Sequence, residues 1–187
     1  MSSIERASGL WYSKASEFME EGLFGRLFHP YALLTGEGLE LRLRERTTRD
    51  RRQGIRESII YDICPPGVPY AGYVSLRLGE SPEIFYLGHI GYRVEEPFRG
   101  RGLAARAVRA LLPLMVHEGL RSLSITTDTD NLPSRKTCEN LGCVLESIVP
   151  VPRRYRALCM NSPAKCRYVL LVEELSKEGI RRHDFAG

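Results

Sequence analysis

The sequence predicts an α/β domain built on a mixed sheet, with elements in the order β-β-β-β-α-β-α-β-β. Residues 39–94 alternate apolar and polar positions, and a helix-length segment, 103–117, lies between strand-like runs. Directly joined strands pair antiparallel, whereas a strand–helix–strand connection makes its strands parallel. We therefore expect one sheet of six or seven strands, with an added N-terminal helical segment.

A single domain is the expectation for 187 residues, 43% of them hydrophobic. Its predicted parts are an N-terminal helical segment over 1–36, a core over 37–175 and a polar tail over 176–187. Glycines and Pro30 interrupt the amphipathic pattern of the first part, which favours two short helices over a long one.

Four strands are expected in the first half of the core. Alternation places them at Leu39–Arg44, around Ile59–Ile63, at Ala71–Leu78 and at Tyr86–Val94. A short connection, Arg46–Glu57, joins the first two of them.

Helices and strands are expected to alternate in the second half. Leu103–His117 predicts a helix that Pro113 kinks, because proline removes a backbone donor. A second helix is expected to begin at Asn131 and to end at Gly142. Further strands are predicted at Leu120–Thr127, Val144–Val149 and Arg167–Val172, with an irregular basic segment at Pro150–Lys165.

Composition narrows the class of protein. The formal charge of +4 favours anionic ligands but is too small to indicate nucleic-acid binding. No apolar run approaches the roughly 20 residues that cross a bilayer, and the N-terminus lacks a secretory apolar region. Five cysteines without a C-x-x-C pair indicate reduced thiols rather than disulfides or a zinc site. We therefore expect a cytoplasmic protein without a metal.

A glycine-rich turn is the clearest ligand signal in the chain. It consists of Arg99, Gly100, Arg101, Gly102, Leu103 and Ala104, between a predicted strand and a predicted helix. The first N–H groups of a helix have no partner within the helix, and the helix dipole is positive there. Glycine lets a ligand approach the backbone, and arginine adds charge. These residues predict a phosphate or pyrophosphate site.

From Tyr86 to Ser147 the chain resembles the GNAT superfamily of acyl-CoA N-acyltransferases, most closely its ribosomal-protein N-terminal acetyltransferase branch. Arg99-x-x-Gly102-x-Ala104 fits the family's Q/R-x-x-G-x-G/A loop, and Ile90–Val94 fits the strand before that loop. Two further segments fit the later helix, Asn131-x-x-Ser134 and Glu139–Gly142, with Cys143 where the family has phenylalanine.

The resemblance implies acetyl-CoA as the co-substrate. Its pyrophosphate would bind the amides of Arg99–Ala104, and its pantetheine arm would pair with the backbone of Tyr92, Arg93 and Val94. Asn131 matches an asparagine that hydrogen-bonds the pantetheine, a role compatible with that of a helix cap.

Three residues are the candidates for the chemistry of acyl transfer. The backbone N–H of Val94 is predicted to polarise the thioester carbonyl. Cys138 occupies the position of a tyrosine acid in several relatives, and it is either a proton donor or a buried helix residue. His89 is either the general base or a hydrogen-bonded structural residue, since Thr126 stands where some relatives carry a glutamate base. A route through an ordered water, or through Glu95 and Glu96, also stays open.

Two classes of function follow, together with a third that rests on charge. The first is an N-acetyltransferase that acts on a primary amine, either a small molecule or a protein N-terminus or lysine, in a ternary complex. The second is a catalytically silent CoA-binding regulatory or interaction module. The third is a ribosome- or RNA-associated protein that uses the arginines of residues 42–56, although interleaved acidic residues favour a solvated surface. A homodimer is compatible with all three classes.

Overall fold

The computed structural model describes residues 31–50 and 55–177. The chain divides into two units, Met1–Leu33 and Leu34–Gly187, and the sheet belongs to the second unit except for its first residue, Leu33. The predicted helical segment over 1–36 lies outside the described residues except for its last six positions, and there the prediction is wrong, because Leu33–Gly36 form a strand. Most of the predicted tail, 176–187, also lies outside them.

The described residues contain eight strands and, besides the helical residues 172–177, five helices. The strands are β1 (Leu33–Gly36), β2 (Leu39–Asp50), β3 (Ile55–Cys64), β4 (Gly72–Leu78), β5 (Ile90–Val94), β6 (Ser122–Asp128), β7 (Val144–Pro150) and β8 (Ala164–Leu171). The helices are α1 (Pro82–Leu87), α2 (Leu103–Ala110), α3 (Leu112–His117), α4 (Leu132–Asn140) and α5 (Arg153–Arg156). A single 3-10 turn, Glu96–Phe98, precedes α2, and residues 172–177 are helical.

All eight strands form one mixed sheet in the order β1-β2-β3-β4-β5-β6-β8-β7. The β5–β6 pair is parallel, whereas β2–β3, β3–β4, β4–β5, β6–β8 and β7–β8 are antiparallel. The predicted α/β class and mixed sheet are confirmed. The predicted count of six or seven strands is one or two short of the eight observed, because β1 was not predicted; it joins β2 through a tight turn in which Glu37 and Gly38 both have positive φ.

The predicted strand Tyr86–Val94 is wrong in its first half. Tyr86 and Leu87 belong to α1, and β5 begins only at Ile90. Ser81 caps α1, since its Oγ accepts a hydrogen bond from the N–H of Ile84 at 3.1 Å, and a proline occupies the first turn. The local capping signals therefore prevail over the apolar run that follows them.

The helix predicted over 103–117 is confirmed with its break. Leu111 separates α2 from α3, and Pro113 lies in the first turn of α3. A backbone N–H in the first turn of a helix has no partner within the helix, so the N–H that proline lacks is not missed there. The short connection predicted at Arg46–Glu57 is instead largely strand, because β2 and β3 pair as far as Asp50 and Ile55.

The two faces of the sheet differ in character. One face, the inner face, carries fully buried apolar side chains that include Leu76 and Ile90, and α2 packs against β2, β4 and β5. Because side chains alternate along a strand, His89 and Ser124 belong to the opposite, outer face. Both of them are nevertheless buried. The outer face is thus covered at the start of β5 and β6, where α1 lies against β6.

Candidate active site

β5 and β6 touch at one point of the sheet and then part. Among the described residues, their only parallel pair is Ile90 with Ile125. One residue earlier on each strand, the N–H of His89 donates to the carbonyl of Ser124 at 2.7 Å. Beyond that pair a gap opens between the strands towards Val94. We call this opening the β5–β6 gap.

Two residues of β5 direct their backbone groups into the β5–β6 gap. The carbonyl of His89 accepts from the N–H of Arg77 in β4, and the N–H of Glu95 donates to the carbonyl of Ala71, directly before β4. The odd-numbered residues between them therefore also face β4. Tyr92 and Val94 therefore face the gap, which is where the sequence predicts pantetheine contacts. Arg93 turns its backbone to β4 instead, and its side chain lies 3.5 Å from Glu95.

The predicted phosphate loop lies at the open end of this gap. Gly100 and Gly102 have φ of 76° and 67°, in the left-handed region, and a Cβ added at either would meet nothing within 4 Å. Gly102 is the N-cap of α2, and no side chain caps that helix. The N–H groups of its first turn, at Leu103 and Ala104, are therefore available to a ligand.

The two loop arginines are held by carbonyl groups at the gap. Arg99 donates from Nε to the carbonyl of Val94 at 3.0 Å, and Arg101 donates from Nη2 to the carbonyl of Pro97 at 3.3 Å. The guanidinium of Arg101 also lies 5.8 Å from the ring centroid of Phe98. Both side chains thus place positive charge beside the amides of the loop.

Asn131 acts as the predicted cap of α4. Its Oδ1 accepts a hydrogen bond from the N–H of Ser134 at 3.1 Å, and a proline lies in the first turn. Asn131 is exposed, and α4 follows β6, so the cap lies beyond the C-terminal end of β6.

A half-buried cluster of two hydroxyls and a thiol joins β5 to α4. The Oη of Tyr92 lies 2.9 Å from the Oγ of Ser134 and 3.9 Å from the Sγ of Cys138. Burial raises the pKa of Tyr92, with a further contribution from Cys138, so the phenol stays protonated at neutral pH. Cys138 itself is fully buried behind this phenol. The sequence predicted no role for the Tyr92 side chain, because its distance from Cys138 along the chain hides the contact.

His89 has a partner at each ring nitrogen. The backbone N–H of Ser124 lies 3.1 Å from Nδ1, and because an N–H can only donate, Nδ1 is the acceptor. The ring proton is therefore on Nε2, which lies 3.2 Å from the carbonyl of Gly79 and 3.2 Å from the carboxylate of Glu80. In this tautomer neither ring nitrogen of His89 has a free lone pair, and the group beside the ring that can accept a proton is the carboxylate of Glu80.

A cavity of about 520 Å³ opens on the outer face above His89 and Ser124. Its remaining walls come from the segment around α1, from α5 and from β8, and they are Glu80, Ser81, Pro82, Ile84, Phe85, Tyr86, Arg154, Tyr155 and Arg167. Tyr86 anchors this cover, because its carbonyl accepts from the Oγ1 of Thr126 at 2.9 Å and its ring lies 4.9 Å from that of Tyr155. Thr126, which replaces a glutamate of some relatives, thus supports the cavity wall.

An ion pair closes the end of β6 on the same face, and it predicts a pH dependence of stability. Lys165 Nζ lies 2.6 Å from the Oδ1 of Asp128. Burial opposes ionisation of Asp128, but hydrogen bonds from Lys165 and Ser162 outweigh it and lower the pKa of Asp128. A lowered folded-state pKa stabilises the fold above the unfolded pKa, about 3.9, and the stabilisation is lost as the pH falls through the folded pKa.

We expect Asp128→Asn to lower the free energy of unfolding by a constant amount between about pH 5 and pH 8. The difference from the parent protein should shrink below about pH 4, where Asp128 of the unfolded parent becomes protonated, and should disappear as the pH falls through the lowered folded-state pKa. Urea unfolding at a series of pH values measures this. A difference that stays constant down to about pH 2.5 would contradict the role of the ion pair.

Comparison with known proteins agrees with this arrangement. The model of the acetyltransferase (GNAT) domain family matches residues 34–144, more than half of the chain. The chain therefore belongs to the GNAT family of acetyltransferases. No curated protein sequence matches it significantly.

Solved structures with TM-scores above 0.5 share the fold at low sequence identity. A putative ribosomal-protein-serine acetyltransferase from Vibrio cholerae is 19% identical, with 74% of this chain and 97% of that chain covered and a TM-score of 0.54. The ribosomal L7/L12 alpha-N-protein acetyltransferase RimL, in complex with coenzyme A, is 17% identical with the same coverage and a TM-score of 0.53. The microcin C7 self-immunity acetyltransferase MccE, in complex with acetyl-CoA and AMP, is 23% identical, with 61% of each chain covered and a TM-score of 0.48.

Two other features of the described residues bear on the class of protein. No helix among them has the length and apolar character needed to span a membrane. Within the same residues, no group of three or more His, Cys, Asp or Glu side chains has the geometry to hold a metal ion.

Proposed function

We propose that this protein transfers the acetyl group of acetyl-CoA to a primary amine by direct attack in a ternary complex. The observation that supports this most strongly is the position of the β5–β6 gap. It ends at the glycine loop, and the backbone groups of Tyr92 and Val94 face into it. One extended ligand with a pyrophosphate at one end and an amide-bearing arm at the other fits both features.

The acetyl-CoA would bind in a defined direction. Its pyrophosphate would accept hydrogen bonds from the amides of Gly100–Ala104, beside the guanidinium groups of Arg99 and Arg101. Its pantetheine arm would pair with the even-numbered backbone groups of β5, with the exposed amide of Asn131 near the other wall. The N–H of Val94 or of Tyr92 would then donate to the thioester oxygen as negative charge develops on it.

The reaction needs two proton movements. The amine nitrogen attacks the thioester carbon, a C–N bond forms, and the C–S bond breaks to release CoA as a thiolate. The attacking nitrogen loses one proton, and the thiolate gains one. Holding the amine and the thioester together supplies much of the rate enhancement.

The amine proton would leave on the outer face. His89, the predicted base, keeps its lone pair on Nδ1 engaged with the N–H of Ser124. We therefore assign His89 a positioning role, in which its Nε2–H orients the carboxylate of Glu80 at 3.2 Å. Glu80 accepts the proton, either directly or through a water.

The thiolate proton would come from the inner face. Cys138, the predicted acid, has its Sγ 3.9 Å from the Oη of Tyr92, and the phenol is the larger and less buried of the two groups. We therefore assign the proton donor as Tyr92, with Ser134 and Cys138 orienting its hydroxyl. The raised pKa of Tyr92 keeps the proton available over the neutral range.

We expect Tyr92→Phe to lower kcat by about 100-fold, because it removes a general acid and retains the ring. Cys138→Ala should leave kcat within about a factor of ten, because the thiol only orients the phenol. Steady-state kinetics with near-normal KM for acetyl-CoA in both variants would show that binding persists. If Cys138→Ala proves to be the more damaging change, the acid is the thiol and not the phenol.

The proposed function itself is tested by calorimetric titration with acetyl-CoA, followed by release of free thiol in the presence of a panel of amines. Micromolar binding together with amine-dependent thiol release supports the enzyme. Binding without turnover on any amine would identify a silent CoA-binding module. An absence of binding to the folded protein would contradict the proposal.

A further inference from the structure

We propose that the outer-face cavity receives the acceptor, and that the acceptor is a primary amine on an acidic molecule. The amine would lie at Glu80, and the carboxylates of the acceptor would lie against the arginines of α5. This inference rests on the proposed transfer reaction and names the substrate class for it.

The cavity is well placed for an attacking amine. His89 and Ser124 form its floor, and these residues immediately precede the Ile90–Ile125 pair at which β5 and β6 part. The floor and the start of the β5–β6 gap are therefore separated by only one or two residues along each strand, at about 3.3 Å per residue. A ligand in the cavity approaches the gap from the outer face, opposite to the inner-face helices α2 and α4.

Aromatic side chains give the cavity firm walls. The rings of Phe85 and Tyr86 meet edge to face at 5.0 Å, and Tyr86 lies 4.9 Å from Tyr155. Phe85 is further held by the guanidinium of Arg167, which lies 4.1 Å from its ring centroid. An ammonium group is attracted to the faces of such rings, in addition to the Glu80 carboxylate and the Gly79 carbonyl.

A cluster of positive charge that we call the arginine rim is formed by Arg153, Arg154 and Arg156 of α5, and Arg154 among them lines the cavity. All three are exposed, and no carboxylate in the described part of the chain forms an ion pair with any of them. Arg154 lies over the ring of Tyr155 at 4.7 Å, and Arg156 donates to the carbonyl of Val151 at 3.4 Å. The guanidinium donors of the rim are therefore open to an anionic partner.

Arg167 differs from the rim residues although it lines the same cavity. Its Nε lies 2.6 Å from the carboxylate of Glu146, and its Nη1 donates to the carbonyl of Phe85 at 2.7 Å. Its charge is neutralised within the protein, so it fixes the wall instead of recruiting a ligand. This contrast assigns the selection for acidic acceptors to the arginine rim.

The test compares three peptide amides that differ only in charge: Ala-Glu-Glu-Ala, Ala-Gln-Gln-Ala and Ala-Arg-Arg-Ala. Each carries one amine, so kcat/KM reports selection by the neighbouring residues. We expect the acidic peptide to exceed the basic one by at least about tenfold at low salt, with the ratio falling as salt rises. Free L-glutamate as a fourth probe distinguishes a small acidic amine from a polypeptide N-terminus.

Two variants tie the selection to the rim. Arg154→Gln should bring the ratio of kcat/KM for the acidic peptide to kcat/KM for the basic peptide several-fold closer to one. The affinity for acetyl-CoA, measured by calorimetry, should stay unchanged. Lys136→Gln, on α4 and away from the cavity, changes the net charge equally and should leave the ratio as it was. Equal rates for all three peptides with the parent protein would overturn the inference and leave the transferase intact. Failure to bind acetyl-CoA would instead remove the proposed function.

Discussion

Gly102→Glu should weaken acetyl-CoA binding by at least about 100-fold, equivalent to about 2.7 kcal/mol. Gly102 caps α2 with a left-handed backbone, and the space above it is open. A glutamate there would place both bulk and negative charge where the pyrophosphate is proposed to lie. The positive end of the helix dipole would then be neutralised by the protein's own carboxylate.

Gly119→Glu is the matched control for this change. Gly119 has φ of 66°, close to the 67° of Gly102, and a Cβ at either position meets nothing within 4 Å. The two variants therefore share the same backbone strain and the same added charge. We expect similar losses of thermal stability from both, but loss of acetyl-CoA binding in calorimetry from Gly102→Glu alone. Equal binding by the two variants would show that the ligand does not use the loop.

Gly72→Ala should destabilise the fold by about 3 kcal/mol or more, through strain and overpacking together. Gly72 begins β4 with φ of 147°, and a Cβ there would lie 2.1 Å from the carbonyl oxygen of Arg93. That contact is with backbone on β5, which cannot yield without disturbing the strand that lines the gap. Urea unfolding measures the loss, and an insoluble variant would agree with it.

Gly67→Ala separates the steric effect from the backbone effect. Gly67 also has a left-handed φ, of 74°, but a Cβ there meets nothing within 4 Å. It should therefore cost only about 1 kcal/mol, the price of a non-glycine residue in that region. If the two variants lose equal stability, the close approach of β4 to β5 at Arg93 does not matter to the fold.

Local sequence signals predicted the parts of the fold that depend on neighbouring residues. The glycine loop lies between a strand and a helix as predicted, because its glycines mark a turn without tertiary context, and its role in phosphate binding stays a prediction. Asn131 as a cap and Pro113 as a break were also correct, for the same reason. The helix α1 was missed although Ser81, Pro82 and Gly88 mark its two ends, because the apolar run after it was given more weight.

The candidate site depends on contacts between distant parts of the chain, which a sequence cannot display. Tyr92 and Cys138 meet across 46 positions, and His89 and Ser124 meet across 35. The tautomer of His89 is decided by the backbone N–H of Ser124 on another strand. The sequence alone therefore left two roles open for His89, general base and hydrogen-bonded structural residue. The arginine rim was visible as a basic segment, but its relation to a cavity needed the fold.

The most direct test of acetyl-CoA binding in the β5–β6 gap is an NMR titration that follows the backbone amides of the labelled protein. We expect saturable shifts concentrated at Tyr92 and Val94 and over Gly100–Ala104, with little change at the opposite edge of the sheet in β1. That pattern would place one ligand along both the strand and the loop. Saturable shifts that leave these amides unaffected would contradict the account.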